Sequence, residues 1–265
     1  MEFPPGVSIR SPANRRAIVG FLEIKNLCKS FDTVSVINDF SIELVEQSLC
    51  CLVGPNGAGK TTTMDLITGR QKPTSGKILF CDDDITGLDE HEIARRGIGR
   101  KFQVPAVFRD LTVRQNLEVA YTRSTNPLKN IFRFREPFFA EKLDEVLTLA
   151  GLSGRLNVEA GILSHGETQW LEIGMVLMQN PRLLLLDEPV AGMTEAEVEK
   201  TAAIFNDLKR TNTLVVVEHD MAFVRLIADV VTVMHMGTLL AQGSISDIEA
   251  NERVREVYLG DTEEA

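Results

Sequence analysis

The feature that most restricts this chain is the octapeptide Gly54-Pro55-Asn56-Gly57-Ala58-Gly59-Lys60-Thr61. It matches G-x-x-x-x-G-K-[ST] in full. The apolar run Leu49 to Val53 precedes it, and a helical stretch begins at about Gly59. A strand, a glycine-rich loop and a helix in that order is the context the motif needs. The glycines let backbone N–H groups curl around phosphate oxygens, and the helix points its positive end at the same place. Lys60 is therefore expected to reach β- and γ-phosphates, and the Thr61 hydroxyl to hold Mg²⁺.

Three further segments carry chemistry. Leu183 to Leu186 is a buried strand that ends in Asp187 and Glu188. A carboxylate leaving such a strand end is well placed to hold Mg²⁺ through water. Glu188 can align an attacking water as general base. The alternative is that both carboxylates only cap the following turn, and the upstream phosphate loop weakens it. His219 ends the run Leu214 to Glu218. A histidine at a strand end is commonly structural, but this one follows a core strand and falls beside the phosphates. A neutral imidazole there can touch the γ-phosphate or the water. Ser164 opens a helix and Glu167 lies three residues on, which is a capping box. The first N–H groups of that helix are expected to be free and to face outward.

The rest of the chain frames these segments. Leu49–Val53, Leu183–Leu186, Leu214–Val217 and Val230–Met234 read as buried strands, with helices expected from Gly59 and over 195–210. Strand followed by helix, repeated, implies a mostly parallel sheet. The stretch 21–44 alternates short β-like runs and predicts an antiparallel layer. Pro73 to Gly76 is a turn leading to a strand over 77–80. Between Gln103 and Ser164 the pattern changes to helices, over 112–121 and 140–149, so a helical subdomain is expected there. Phe132, Phe134, Phe138 and Phe139 alternate in it with Lys129, Arg133 and Arg135. Aromatic packing inside the subdomain is favoured over a membrane-surface role, because the formal charge of the chain is -10. The same acidity argues against nucleic acid as a partner. No run of 18 apolar residues occurs. Residues 1–20 lack the apolar stretch of a secretory signal and read as a loose leader on a soluble cytoplasmic protein. Cys28, Cys50, Cys51 and Cys81 show no metal-binding spacing and read as reduced, buried or half-buried thiols. Cys50 and Cys51 should face opposite sides of one strand. His91, His165 and His235 have no ligand spacing either, so no metal beyond Mg²⁺ is expected.

Taken in order, the phosphate loop, Gln103, Leu163-Ser164-His165-Gly166-Glu167, the Asp187-Glu188 pair and His219 resemble the motifs of ATP-binding cassette (ABC) ATPases over about residues 21–260. The resemblance implies an α/β P-loop fold with a mostly parallel core sheet, an antiparallel β layer and an inserted α-helical subdomain. It implies an ATP-binding core over 21–103 and 167–240, a helical subdomain over 104–166 and a tail over 241–265. It implies an enzyme that hydrolyses ATP to ADP and phosphate with Mg²⁺. ATP would lie on Gly54, Pro55, Asn56, Gly57, Ala58, Gly59, Lys60, Thr61 and Thr62, with adenine stacked on Phe31. Gln103 would join Thr61 and Asp187 at the metal and act with Glu188 and His219 in catalysis. Ser164 and Gly166 would touch ATP held by a second cassette.

A narrower resemblance is carried by Phe102-Gln103-Val104-Pro105, Val107-Phe108, Leu111-Thr112-Val113 and the tail Val254 to Gly260. These look like the branched-chain amino acid and amide uptake group. Leu163 to Met175 and Glu188 to Thr194 resemble the D-type ATP-binding subunit of urea importers. That implies a peripheral subunit on the cytoplasmic side of the inner membrane, paired with a second ATPase as heterodimer or homodimer. Two permeases and an extracytoplasmic binding protein complete such a system. Branched-chain amino acid import, lipopolysaccharide export and a soluble non-transport ATPase are the alternatives. Two positions depart from the general pattern. His165 stands where glycine is usual, so a backbone suited to glycine is expected to be met by a residue with a Cβ. Thr194 stands where aspartate is usual.

Overall fold

The computed structural model describes residues 20–101, 107–121 and 137–260; of residues 137, 138 and 258–260 it describes the backbone. The leader, Phe102 to Ala106, Lys129, Phe132 to Arg135 and the last five residues lie outside the described residues.

Two sheets are stacked. The first is antiparallel, order β2-β1-β4-β5, built from β1 (Leu22–Phe31), β2 (Val34–Leu44), β4 (Ser75–Phe80) and β5 (Asp83–Asp84). The second has order β10-β9-β3-β8-β7-β6. It contains β3 (Leu49–Val53), β6 (Ile98–Lys101), β7 (Leu183–Asp187), β8 (Thr213–Val217), β9 (Val230–His235) and β10 (Thr238–Gly243). Its pairings are parallel from β9 through to β6, and β10 is antiparallel at the edge. This is the mixed sheet that the sequence implied.

The apolar runs are continuous because both faces of the second sheet are covered. Leu184, Leu186, Leu214, Val216 and Cys51 belong to one core, while Leu183, Leu185, Val215, Val217 and Cys50 belong to the other. The paired cysteines thus point to opposite faces, as their adjacency requires. Burial pushes the Cys50 thiol up to about 11, against a hydrogen bond shared with the Thr232 hydroxyl that lowers it, and raises the Cys51 thiol as well. Both are inert at neutral pH. Each fully buried leucine of β7 contributes about 1.5–3 kcal/mol.

The helices are α1 (Lys60–Ile67), α2 (Glu90–Arg95), α3 (Val113–Tyr121), α4 (Pro137–Ala150), α5 (His165–Leu177), α6 (Glu195–Leu208), α7 (Met221–Ile227), α8 (Ile245–Ala250) and α9 (Glu252–Gly260). Helices α3 and α4 pack on α5, and Phe139 is buried against Tyr121 at 5.0 Å between ring centroids. That aromatic is packed within the subdomain; Phe132 and Phe134 are outside the described residues. Asn116 is wholly buried and organises the loop before α3. It donates to the carbonyls of Phe108 and Thr112, both at 3.0 Å, and accepts from the Phe108 amide at 2.8 Å. A buried ion pair joins the layers: Lys101 at the end of β6 lies 3.2 Å from Glu172 on α5, with side chains 3% and 5% exposed. Among the described residues no helix is long and apolar enough to cross a membrane.

Candidate functional site

The phosphate loop joins β3 to α1. Gly54 has φ 153°, and a Cβ there would lie 2.2 Å from the Met234 carbonyl oxygen, so only glycine lets β9 approach so closely. Lys60 folds back over the loop. Its ammonium donates to the carbonyls of Gly54 (2.7 Å) and Pro55 (3.0 Å). Half-burial lowers its pKa, and the carboxylates of Glu188 and Asp187 act in the opposite direction. Thr61 is exposed and Thr62 half-buried at the first turn of α1.

The parallel register sets the carboxylates level with this loop. Asp187 pairs with Val217, and Val217 with Leu52. Glu188 follows immediately with φ 45°, a left-handed backbone that costs a residue with a side chain about 1–3 kcal/mol. Its amide donates to the Val217 carbonyl at 3.0 Å. His219 Nδ1 lies 3.7 Å from Glu188 Oε1, and its ring is 69% exposed. The two stand side by side, near enough to contact one small molecule together. Glu218, buried at 1% exposure, ties their loops together, accepting from the amides of Val190 (3.4 Å) and His219 (3.2 Å). Burial raises its pKa, while those amide contacts lower it. Phe31 lies at the tip of the β1–β2 hairpin, 42% exposed, with Lys29 Nζ 4.6 Å from the ring centroid. The hairpin is fastened to the phosphate loop through Gly237, which accepts from the Asn38 amide (2.9 Å) and donates to the Ala58 carbonyl (3.0 Å). Gln103 lies outside the described residues.

Arg100 was invisible in the sequence as a site residue. From β6 its guanidinium reaches Asp65 on α1 at 2.5 Å and Asp187 at 3.4 Å, with its side chain 5% exposed. Burial raises the Asp187 pKa, and Arg100 is the main force holding it down. One cation thus braces the phosphate-loop helix against the Asp187 strand. Replacing Arg100 by glutamine will leave Asp187 buried without that cation, a change that costs about 3–5 kcal/mol in comparable buried pairs. The urea midpoint of unfolding reads this, and a loss under about 1 kcal/mol removes Arg100 from the role.

The segment before α5 folds as its capping box requires. Ser164 is N-cap; its hydroxyl accepts from the Glu167 amide at 3.1 Å, and the Glu167 carboxylate accepts from the Ser164 amide at 3.0 Å. Two expectations need correction. His165 meets no glycine-like strain: it is the first helical residue and is absent from the positive-φ positions. Its Nε2 instead lies 2.9 Å from the Ala191 carbonyl. The helix start is also not wholly open. Glu197 of α6 lies over it, accepting from the Ser164 hydroxyl at 3.3 Å and facing the Gly166 amide. A Cβ at Gly166 would lie 2.4 Å from Glu197 Oε1, so a larger residue there would push the Glu197 side chain aside. Thr194, in place of the usual aspartate, caps α6 with Glu197 as its box partner. Trp170 locks the two helices, donating to the Thr201 hydroxyl at 3.0 Å with Lys200 Nζ 3.4 Å from its ring centroid.

A phosphate loop with a buried aspartate, a glutamate and a histidine at the ends of neighbouring parallel strands defines a P-loop nucleotide hydrolase. The capped segment before α5 narrows the class, and known proteins agree. The ABC transporter family model matches residues 37–191. The chain is 34% identical to the high-affinity branched-chain amino acid transport ATP-binding protein BraF of Pseudomonas aeruginosa, covering 91% of this chain and 98% of that one. It is 35% identical to LivG of Escherichia coli, of the same description, over the same shares. Among solved structures it resembles the ADP conformation of MJ1267, an ATP-binding cassette of an ABC transporter. That match has a TM-score of 0.81 and 30% identity, covering 91% of this chain and 98% of that one. The chain belongs to the ABC transporter ATP-binding family. It is an ATP-binding, ATP-hydrolysing transport subunit.

Proposed function

We propose that this chain is one of two ATPase subunits that drive an importer for a small polar solute, with urea as the solute. The observation that carries the ATPase half is the convergence of Lys60, Asp187, Glu188 and His219 on the phosphate loop. In this reading 21–103 and 167–240 form the ATP-binding core and 104–166 the helical subdomain. Phe31 offers adenine a flat, exposed face. Lys60 leaves the Gly54 and Pro55 carbonyls for the β- and γ-phosphates. Glu188 holds the attacking water and takes its proton, and His219 orients that water and the γ-phosphate.

Mg²⁺ fits the residues present. Thr61 and Asp187 supply hard oxygen donors, and Gln103 is a third candidate. Among the described residues no group of three His, Cys, Asp or Glu side chains is placed to cage a metal, which suits an ion held largely by phosphate and water. When bound, it neutralises charge on the phosphates.

Urea is supported by Leu163 to Met175 and Glu188 to Thr194, the stretches that resemble urea-importer subunits. A branched-chain amino acid is the second reading, favoured by the description of the two relatives. The complex reconstituted with its permeases and binding protein in vesicles, offered labelled urea or labelled leucine, separates them. Accumulation of leucine alone rejects urea. The permeases would hold the chain at the cytoplasmic face of the membrane.

The shared-site part has its own test. Ser164 and Gly166 complete a nucleotide pocket only when a second cassette docks head to tail. Ser164→Arg puts bulk at that seam and removes a cap worth about 1 kcal/mol. The isolated subunit will still bind ATP through Lys60, with affinity within about 2-fold, or roughly 0.4 kcal/mol. The rise in hydrolysis on adding the second cassette and permeases will disappear. A full rise in the Ser164→Arg protein excludes the shared site.

A further inference from the structure

We propose that Glu197 is a built-in competitor for the phosphate site at the start of α5, and that a second cassette's nucleotide must displace it before the two subunits close. The proposal rests on the shared-site reading above.

The carboxylate already occupies the position of the incoming anion. Its Oε1 accepts from the Ser164 hydroxyl at 3.3 Å and faces the Gly166 amide. These are the two residues that would meet the phosphate. Gly166 is buried although Ser164 and His165 just before it are exposed, and the Glu197 side chain lies against it. The Glu197 oxygen and a phosphate oxygen cannot take the same two donors at once, and like charges a few ångströms apart repel.

The contact is also built to release. Oε2 is held independently by the Thr194 amide (3.0 Å) and hydroxyl (2.9 Å), which belong to the capping box of α6. The two oxygens share one carboxylate, so it leaves Ser164 by pivoting about its Thr194 contacts, with more than one side-chain torsion turning together. The loop that carries Thr194 is tied to His165 through the Ala191 carbonyl at 2.9 Å. Displacing Oε1 removes one of the two ties between this region and the start of α5 and leaves the His165–Ala191 contact as the other.

Glu197→Gln removes the charge and keeps the shape. The test uses the intact transporter, with permeases and second cassette, on a Glu188→Gln background that does not consume ATP. The amount of labelled ATP trapped is measured against MgATP concentration, together with the urea midpoint of the isolated chain. Glu197→Gln is expected to lower the half-saturating MgATP about tenfold, the effect of one charge-assisted contact, while making the isolated chain less stable. Glu197→Ala, which also loses the cap, moves trapping in the same direction. A residue that only caps α6 lowers stability and leaves trapping unchanged or weaker, and that result overturns the proposal. Trapping that is absent in the parent, or indifferent to Ser164→Arg, overturns the shared-site reading itself.

Discussion

Glu188→Gln will leave ATP bound and slow its hydrolysis by the assembled complex at least ~100-fold, a loss of about 2.7 kcal/mol in the transition state. The amide keeps the size of the side chain and its backbone contact to Val217, but it cannot take a proton. The left-handed backbone at residue 188 strengthens the expectation. Strain of that kind persists where the surrounding structure imposes it, and here Glu218 and the Val217 carbonyl do so. His219 stands 3.7 Å away with most of its ring in solvent, so it can follow the γ-phosphate without supplying the base. Steady-state turnover of the complex is the measurement. Turnover within about threefold of the parent, under ~1 kcal/mol, assigns the base elsewhere.

Lys60→Ala acts on binding. In the free loop the ammonium satisfies the Gly54 and Pro55 carbonyls, and in the complex it would trade them for phosphate oxygens. Its pKa is lowered by burial, with Glu188 and Asp187 opposing, so it gains from an anionic ligand that replaces lost water. Removing it is expected to weaken binding of a non-hydrolysable ATP analogue by about 1.5–3 kcal/mol, or roughly 10- to 150-fold. Calorimetry on the isolated chain reads this without the partner subunits. Unchanged affinity means that the loop amides carry the phosphates alone.

What the sequence made legible was local. The strands expected over 49–53, 183–186 and 214–217 announced themselves because both sheet faces are buried and the apolar runs are unbroken; the structure adds Asp187 and Thr213 at their ends. The capping box at Ser164 was legible for the same reason: its partners lie three residues apart. Helix 195–208 ended two residues before its expected limit, at Lys209, where the chain turns away from the helix. Strand Ile98–Lys101 gave no signal, since half of it is Arg100 and Lys101, charges that are buried only because Asp65, Asp187 and Glu172 await them on distant segments. The contacts of Glu197 and Glu218 were hidden likewise. Glu197 meets Ser164 across 33 positions and Glu218 meets Val190 across 28, separations over which periodicity carries no information. His165 looked like a strained position because the comparison was with glycine; as the first residue of a capped helix it needs no unusual dihedral.

The Lys101–Glu172 pair has a mechanical corollary. Two charges so fully enclosed resist separation, because parting them exposes each to a medium that solvates neither. Any tilt of α5 relative to the large sheet must then pivot near Glu172. Ser164 lies eight positions along the helix, about 12 Å from that fulcrum at 1.5 Å per residue. A rotation of roughly 10° moves Ser164 by about 2 Å while Glu172 stays in place. The helix is a lever pivoted on the strand Ile98–Lys101, and its longer arm carries Ser164.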